Sequence, residues 1–334
     1  MRIGLIDCDK HNSKNPFPNL ALMKLSAWHK KQGDTVEWYA NFNGHYDRVY
    51  VSKVFSFSDD YLYPIDATEI IKGGSGYAIS IQNGREVYNK ELDKPLPDEI
   101  EHIYPDYELY GITDTAYGFI SRGCPRQCEF CHVKGMQGIV SHRTTNLSEF
   151  WKGQKNIVLL DPNISACKEW KDIFQELIDS KAKVDFSQGL DIRLMTDEKI
   201  EMLQQIKVSL IHFAWDRYED KDIILPKLKH FSEKTKWNRK TLVVYVLVGN
   251  KEKRVLPEDL ERIYALRPFA TPYVMIYDKD NVPKGHELRK LQRWVNNRFI
   301  WESIATFDEY LKGKETVDAN LHFRSDNEGQ SILQ

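Results

Sequence analysis

Between residues 116 and 278 the chain repeats one rhythm, and that rhythm limits the folds open to it. Six apolar segments stand out: AYGFIS (116–121), NIVLLD (156–161), KVDFSQ (183–188), VSLIHFAWD (208–216), TLVVYVLVG (241–249) and TPYVMIYD (271–278). Helical patterns separate most of them. ACKEWKDIFQELIDS (166–180) places Trp170, Phe174, Leu177 and Ile178 on one face, and TDEKIEMLQQI (196–206) opens on Thr196 with Glu198 and Lys199 in its first turn. LPEDLERIYAL (256–266) and ELRKLQRWVNNRF (287–299) complete the set. Near-continuous apolar strands alternating with helices predict buried parallel strands. Six such units predict an open or partial barrel of (β/α)6 form. TLVVYVLVG, the longest apolar run, is far too short to cross a bilayer.

The first segment predicts a smaller α/β domain. RIGLIDC reads as a strand, and NLALMKLSAWHKKQG as a helix with Leu22, Leu25 and Trp28 on one face and Gly33 as its stop. DTVEWYA and DRVYVSKVF read as further strands, and GGSGY (73–77) as a glycine-rich turn. Residues 83–112, with Pro95, Pro97 and Pro105, read as an irregular connector. The expected organisation is thus a Rossmann-like domain with connector over 1–112, a barrel over 113–300 and an extension over 301–334. The closing stretch HFRSDNEGQSILQ is polar and predicts poor order.

With 41% hydrophobic and 29% charged residues, the composition is that of a soluble globular protein. The formal charge of −2 gives no general drive toward nucleic acid or an anionic membrane. The opening MRIGLIDCDKHN lacks the features of a signal peptide, which predicts a cytoplasmic protein with reduced cysteines.

Three of the five cysteines fall within SRGCPRQCEFCHV (121–133), at Cys124, Cys128 and Cys131. Gly123 and Pro125 make the chain turn as it leaves the first barrel strand. A loop of this kind can converge three thiolates on one object, and thiolates select zinc, copper(I) or iron–sulfur clusters. A structural zinc site wants four protein ligands. Cys167 lies far downstream, Cys8 belongs to the first domain, and His132 is adjacent to Cys131. An iron–sulfur cube held by three thiolates keeps one iron open to a ligand that is not protein.

C-x3-C-x-aromatic-C after the first strand of a partial barrel, with Phe130 as the aromatic, resembles the signature of the radical S-adenosylmethionine (SAM) enzymes. The resemblance rests on this motif and, more loosely, on residues 115–300. It implies a 4Fe–4S cluster on Cys124, Cys128 and Cys131, SAM on the open iron, a 5′-deoxyadenosyl radical as the reactive species, and an electron donor such as a flavodoxin or ferredoxin. The substrate is not named by any pattern in the chain, and nucleic acid is not indicated. A parallel-sheet domain before the barrel resembles the cobalamin-binding domain of one branch of that family. Cobalamin, and with it radical methyl transfer, stays open, because GGSGY sits where that branch has glycines near the corrin, while Asp-x-His-x-x-Gly is absent. DKHNSK (9–14) offers Asp9 and His11 only. A non-catalytic zinc module and a methylthiotransferase-like enzyme remain the alternatives; the second calls for another cluster in the first domain, where only Cys8 is available.

Around the cluster the resemblance implies SAM contacts at the strand ends. The second strand ends LLDPN without the family's Gly-Gly-Glu, so Asp161 or Asn163 stands in for it, against a plain turn. After the third strand, in DFSQGLDIRL, Gln188 is a candidate for ribose hydroxyls and Arg193 for a carboxylate, against an Asp191–Arg193 turn pair. Asp216 ends the fourth strand, as a ribose ligand or a helix cap. Gly249 and Glu252 match a weaker adenine-contacting pattern. His132 and His142 receive no role. The basic and aromatic RKLQRWVNNRF (289–299) carries an apolar stripe of Leu288, Leu291 and Val295, which predicts a packed helix with solvated cations.

Overall fold

A computed structural model describes residues 1–10, 17–82 and 85–313. The chain divides into two units, Met1–His212 with Lys234–Lys236, and Phe213–Glu233 with the chain from Trp237 on. No described helix is long and apolar enough to cross a membrane.

The first unit begins with a four-stranded sheet of β1 (Arg2–Asp7), β2 (Thr35–Trp38), β3 (Tyr46–Ser52) and β4 (Ala67–Gly73), in the order β2-β1-β3-β4. Every pairing is parallel. Side chains alternate across β1 with the period of a strand. Ile3 and Leu5 join Leu22 and Leu25 of the helix Leu20–Lys31, while Ile6 and Cys8 join Tyr46, Val49 and Val51 on the other face. That helix starts where Asn19 accepts the Leu22 N–H at 3.2 Å, and Gly33, at φ +82°, follows its end.

β4 has no counterpart in the sequence reading. Its ATEIIKG is mostly exposed, so its apolar alternation is weak. The connector is less irregular than expected as well. β5 (Ile79–Gln82) and β6 (Arg85–Tyr88) pair antiparallel as a hairpin, too short to give a periodic signal.

The same unit continues with β7 (Thr115–Gly118), β8 (Ser121–Arg122), β9 (His142–Arg143), β10 (Asn156–Leu159), β11 (Lys183–Phe186) and β12 (Lys207–Val208). β7, β10, β11 and β12 form a parallel sheet in the order β12-β11-β10-β7. β8 and β9 make a two-residue antiparallel ladder. The helices Trp170–Ser180 and Asp197–Gln205 follow β10 and β11, the second capped by Thr196 accepting the Lys199 N–H.

β13 (Ile211–Ala214), β14 (Leu242–Val248) and β15 (Thr271–Ile276) form one sheet in that order, which lies in the second unit from Phe213 on. The expected fourth strand, 208–216, is therefore two pieces: β12 pairs with β11, whereas β13 belongs with β14. The chain bends at Ser209, and Leu210 is exposed, which breaks the apolar run. The α/β class with parallel strands is as expected. The single six-strand ladder is not, because the hydrogen bonding falls into sheets of four and three strands.

The helix Lys221–Lys234 was hidden from the sequence by Pro226, which cannot donate to a preceding carbonyl. Burial of Ile224, Leu228 and Phe231 on one face holds it. The expected helix 287–299 runs Glu287–Asn296 and restarts as Arg298–Ser303, because the Asn297 side chain accepts from Phe299 and Ile300 N–H groups. Leu288, Leu291 and Val295 are buried together with Trp294, as a packed helix requires. HFRSDNEGQSILQ and His11 lie outside the described residues.

Candidate functional site

The chain leaves β7 at Gly118, passes through β8 into the cysteine loop and returns through β9, which pairs with β8. Gly123 stands at the entrance with φ +85°, and a Cβ there would lie 2.2 Å from the Val140 carbonyl oxygen. Only glycine allows that approach. Cys124 N–H donates to Gly138 C=O at 3.2 Å. Cys131 N–H donates to Cys128 C=O at 3.2 Å, closing a turn that has Glu129 and half-buried Phe130 at its centre. A turn of this kind keeps its outer Cα atoms within about 7 Å.

Three sets of contacts fix the loop from outside. At its root, buried Asp161 accepts from Ile120 N–H at 3.1 Å, Ser121 N–H at 2.5 Å and Ser121 Oγ at 2.7 Å. Burial raises the Asp161 pKa to about 6 against the pull of these donors. Within the loop, Arg126 Nε donates to Asp191 Oδ2 at 2.7 Å. Beyond it, His132 Nε2 lies 3.2 Å from Glu86 Oε2 on β6, and Gly135 lies so close to the Tyr88 ring that a Cβ would come within 2.8 Å. Arg126 and Glu86 were not singled out in the sequence. A charge inside a loop carries no periodic signal, and both partners are distant along the chain.

At the carboxyl ends of the neighbouring parallel strands the candidates separate. Asn163 follows β10 and is 4% exposed. Its Nδ2 donates to Cys124 Sγ at 3.4 Å and to Asp191 Oδ2 at 3.5 Å. Its Oδ1 is buried and has no hydrogen-bond partner among the described residues. Asp161 is in a different position, with its carboxylate engaged by residues 120 and 121. Arg193 Nε donates to Asp191 Oδ1 at 2.8 Å, so the turn pair considered in the sequence is present. Burial pushes the Asp191 pKa up, but Arg193 and Arg126 outweigh it and hold the carboxyl below the ordinary value. Gln188 is exposed beyond β11.

Asp216 and Gly249 belong to the second unit. There the buried Arg262 guanidinium donates to Trp215 and Asp216 carbonyls, each at 2.7 Å, and to the Leu247 carbonyl at 2.9 Å, tying together the ends of β13 and β14. Gly249 takes φ +78°, which other residues rarely adopt, and a Cβ on it would meet Leu288 Cδ1 at 2.9 Å, so the chain's own turn accounts for this glycine.

Which residues suit a metal group follows from donor chemistry. Cys124, Cys128 and Cys131 are half-buried and in no disulfide. Cys167 is buried beside Glu169, and burial raises its pKa to about 11. Burial also raises the pKa of Cys8. Both outlying thiols lie outside the 124–131 loop and are more deeply buried than its three cysteines. Among the described residues no group of three or more His, Cys, Asp or Glu side chains is gathered to hold a metal ion. The loop offers three soft donors on a well-anchored backbone, and ligation would be the event that draws its sulfurs together.

The 73–77 turn has a different role from the one suggested by its glycines. A Cβ on Gly74 would meet the Lys53 carbonyl oxygen at 2.3 Å, and one on Gly76 would meet that of Phe55 at 2.7 Å. Gly74 and Gly76 make room for the chain's own backbone, whereas a Cβ on Gly73 would meet open space.

No family model and no curated protein matches the chain. Among solved structures it is similar to the radical S-adenosylmethionine methyltransferase TsrM from Kitasatospora setae, in a structure with cobalamin and a [4Fe–4S] cluster bound. The likeness has a TM-score of 0.47 at 10% identity and covers 74% of this chain and 69% of that one. A likeness at that level carries no assignment, which falls to the cysteine loop and its surroundings.

Proposed function

We propose that the chain is a radical SAM enzyme that holds a 4Fe–4S cluster on Cys124, Cys128 and Cys131 and acts on a substrate of a class still to be identified. The observation that carries this reading is the pairing of the three-cysteine loop with a buried acceptor, Asn163 Oδ1, that has no partner among the described residues and belongs to the side chain whose Nδ2 donates to Cys124 Sγ. When bound, such a cluster supplies the electron that cleaves the sulfonium of SAM and yields a 5′-deoxyadenosyl radical.

The chain's own residues then have separable duties. Asn163 Oδ1 accepts from the ammonium of SAM, which gives the orphaned atom its missing partner. Asp161 holds the root of the loop and does not touch SAM. Gln188 reaches ribose hydroxyls from its exposed position. Phe130 covers the loop turn and keeps water from the metal. An electron donor such as a flavodoxin or ferredoxin serves as redox partner, and the cytoplasm as compartment.

Anaerobic reconstitution tests the reading. The protein should take up about four irons and four sulfides and release 5′-deoxyadenosine when given SAM and a strong reductant. C128A should do neither. Zinc in place of iron, or an intact cluster in C128A, would sink the assignment.

A further inference from the structure

An amide can lie in either of two orientations, and its neighbours decide which. Around Asn163 the deciding neighbour is Asp191. An ionised carboxylate only accepts hydrogen bonds, so the Asn163 atom 3.5 Å from Asp191 Oδ2 has to be the donor, Nδ2. That leaves Oδ1 pointing away from Asp191 as the buried atom with no partner. Asp191 in turn has little freedom. Arg126 Nε holds one carboxylate oxygen at 2.7 Å, Arg193 Nε the other at 2.8 Å, and the Arg193 N–H donates to it at 3.1 Å. The Asp191 N–H is fixed on Ser165 Oγ at 3.2 Å.

We propose that Asp191, clamped by Arg126 and Arg193, is a positioning residue that sets the orientation of the Asn163 amide, so that an acceptor rather than a donor faces the ligand beside Cys124. The ligand class is one that brings an N–H donor, a primary ammonium above all. The inference rests on the reading that SAM binds here. It adds a division of labour: the residue that meets the ammonium is neutral, and the negative charge that enforces its orientation is one residue further back, already compensated by two guanidiniums. Arg126 thereby couples the amide to the cysteine loop itself, because it lies between Cys124 and Cys128.

The test is SAM binding to anaerobically reconstituted protein, by equilibrium dialysis, with iron content measured on each sample. N163A removes the acceptor. D191N supplies a donor opposite the amide and allows it to turn over. Both should bind SAM about tenfold more weakly or worse, the size of one hydrogen bond to a charged group, with iron content equal to the parent's. The swap N163D/D191N returns an acceptor-only group to position 163 and should bind SAM more tightly than either D191N or N163D alone, as a coupled pair does in a double-mutant cycle. A merely structural aspartate would not be rescued by the swap. SAM affinity in D191N equal to the parent's, a swap no better than D191N alone, or loss of iron in D191N each overturns the proposal. If the parent itself takes up no iron, the functional reading fails first; if the parent binds iron and SAM while N163A and D191N match it, only the inference about Asp191 fails.

Discussion

Asp161 makes stability depend on pH in a direction opposite to most carboxylates. Its carboxyl is raised from 3.8 to about 6 by burial. A group whose pKa is raised on folding binds more protons in the folded state than in the unfolded one across that window. Its contribution is fully present below pH 3.8 and is lost as pH rises through about 6. At about 1.36 kcal/mol per pKa unit, the full loss is about 3 kcal/mol, of which about 2 kcal/mol falls between pH 4 and 7. The perturbation is D161N, which keeps an acceptor for Ser121 and removes the titration. The assay is urea unfolding of the metal-free protein at a series of pH values, read as parent minus D161N so that other carboxylates cancel. The parent should lose about 2 kcal/mol relative to D161N from pH 4 to 7. A flat difference, or one of opposite sign, would refute the argument that desolvation outweighs the three donors around this carboxylate.

Other outcomes follow from the loop and from the outlying thiols. G123A places a Cβ against the Val140 carbonyl oxygen at positive φ, so it should cost about 1–3 kcal/mol locally and lower iron uptake on reconstitution while far-UV circular dichroism stays unchanged. C8A and C167A should reconstitute like the parent, since both thiols are buried and lie outside the cysteine loop; loss of iron in either would mean that the ligand set extends beyond residues 124–131.

What the sequence determined on its own was local. Apolar runs of strand length, the 3.6-residue stripes of the helices, Thr196 as a cap and three cysteines in one turn-rich loop all depend on neighbours a few positions away, so they were legible without coordinates. Where local signals conflicted or were short, the reading failed: Pro226 masked a helix, exposed β4 lacked alternation, and Ser209 broke a strand that looked continuous. The roles of polar residues were decided only by the tertiary structure. Asp161 and Asn163 sit two positions apart and were equal candidates in the sequence. Folding brings Ile120 and Ser121 to the first and leaves the second with an acceptor facing no partner. Gly74 and Gly249 looked like surfaces for ligands, and the fold puts the chain's own atoms against them. Arg126 met Asp191 across sixty-five positions of sequence. A hydrogen bond is specified by both of its partners, and when the second is supplied by a distant strand end, its identity is a property of the fold rather than of the segment.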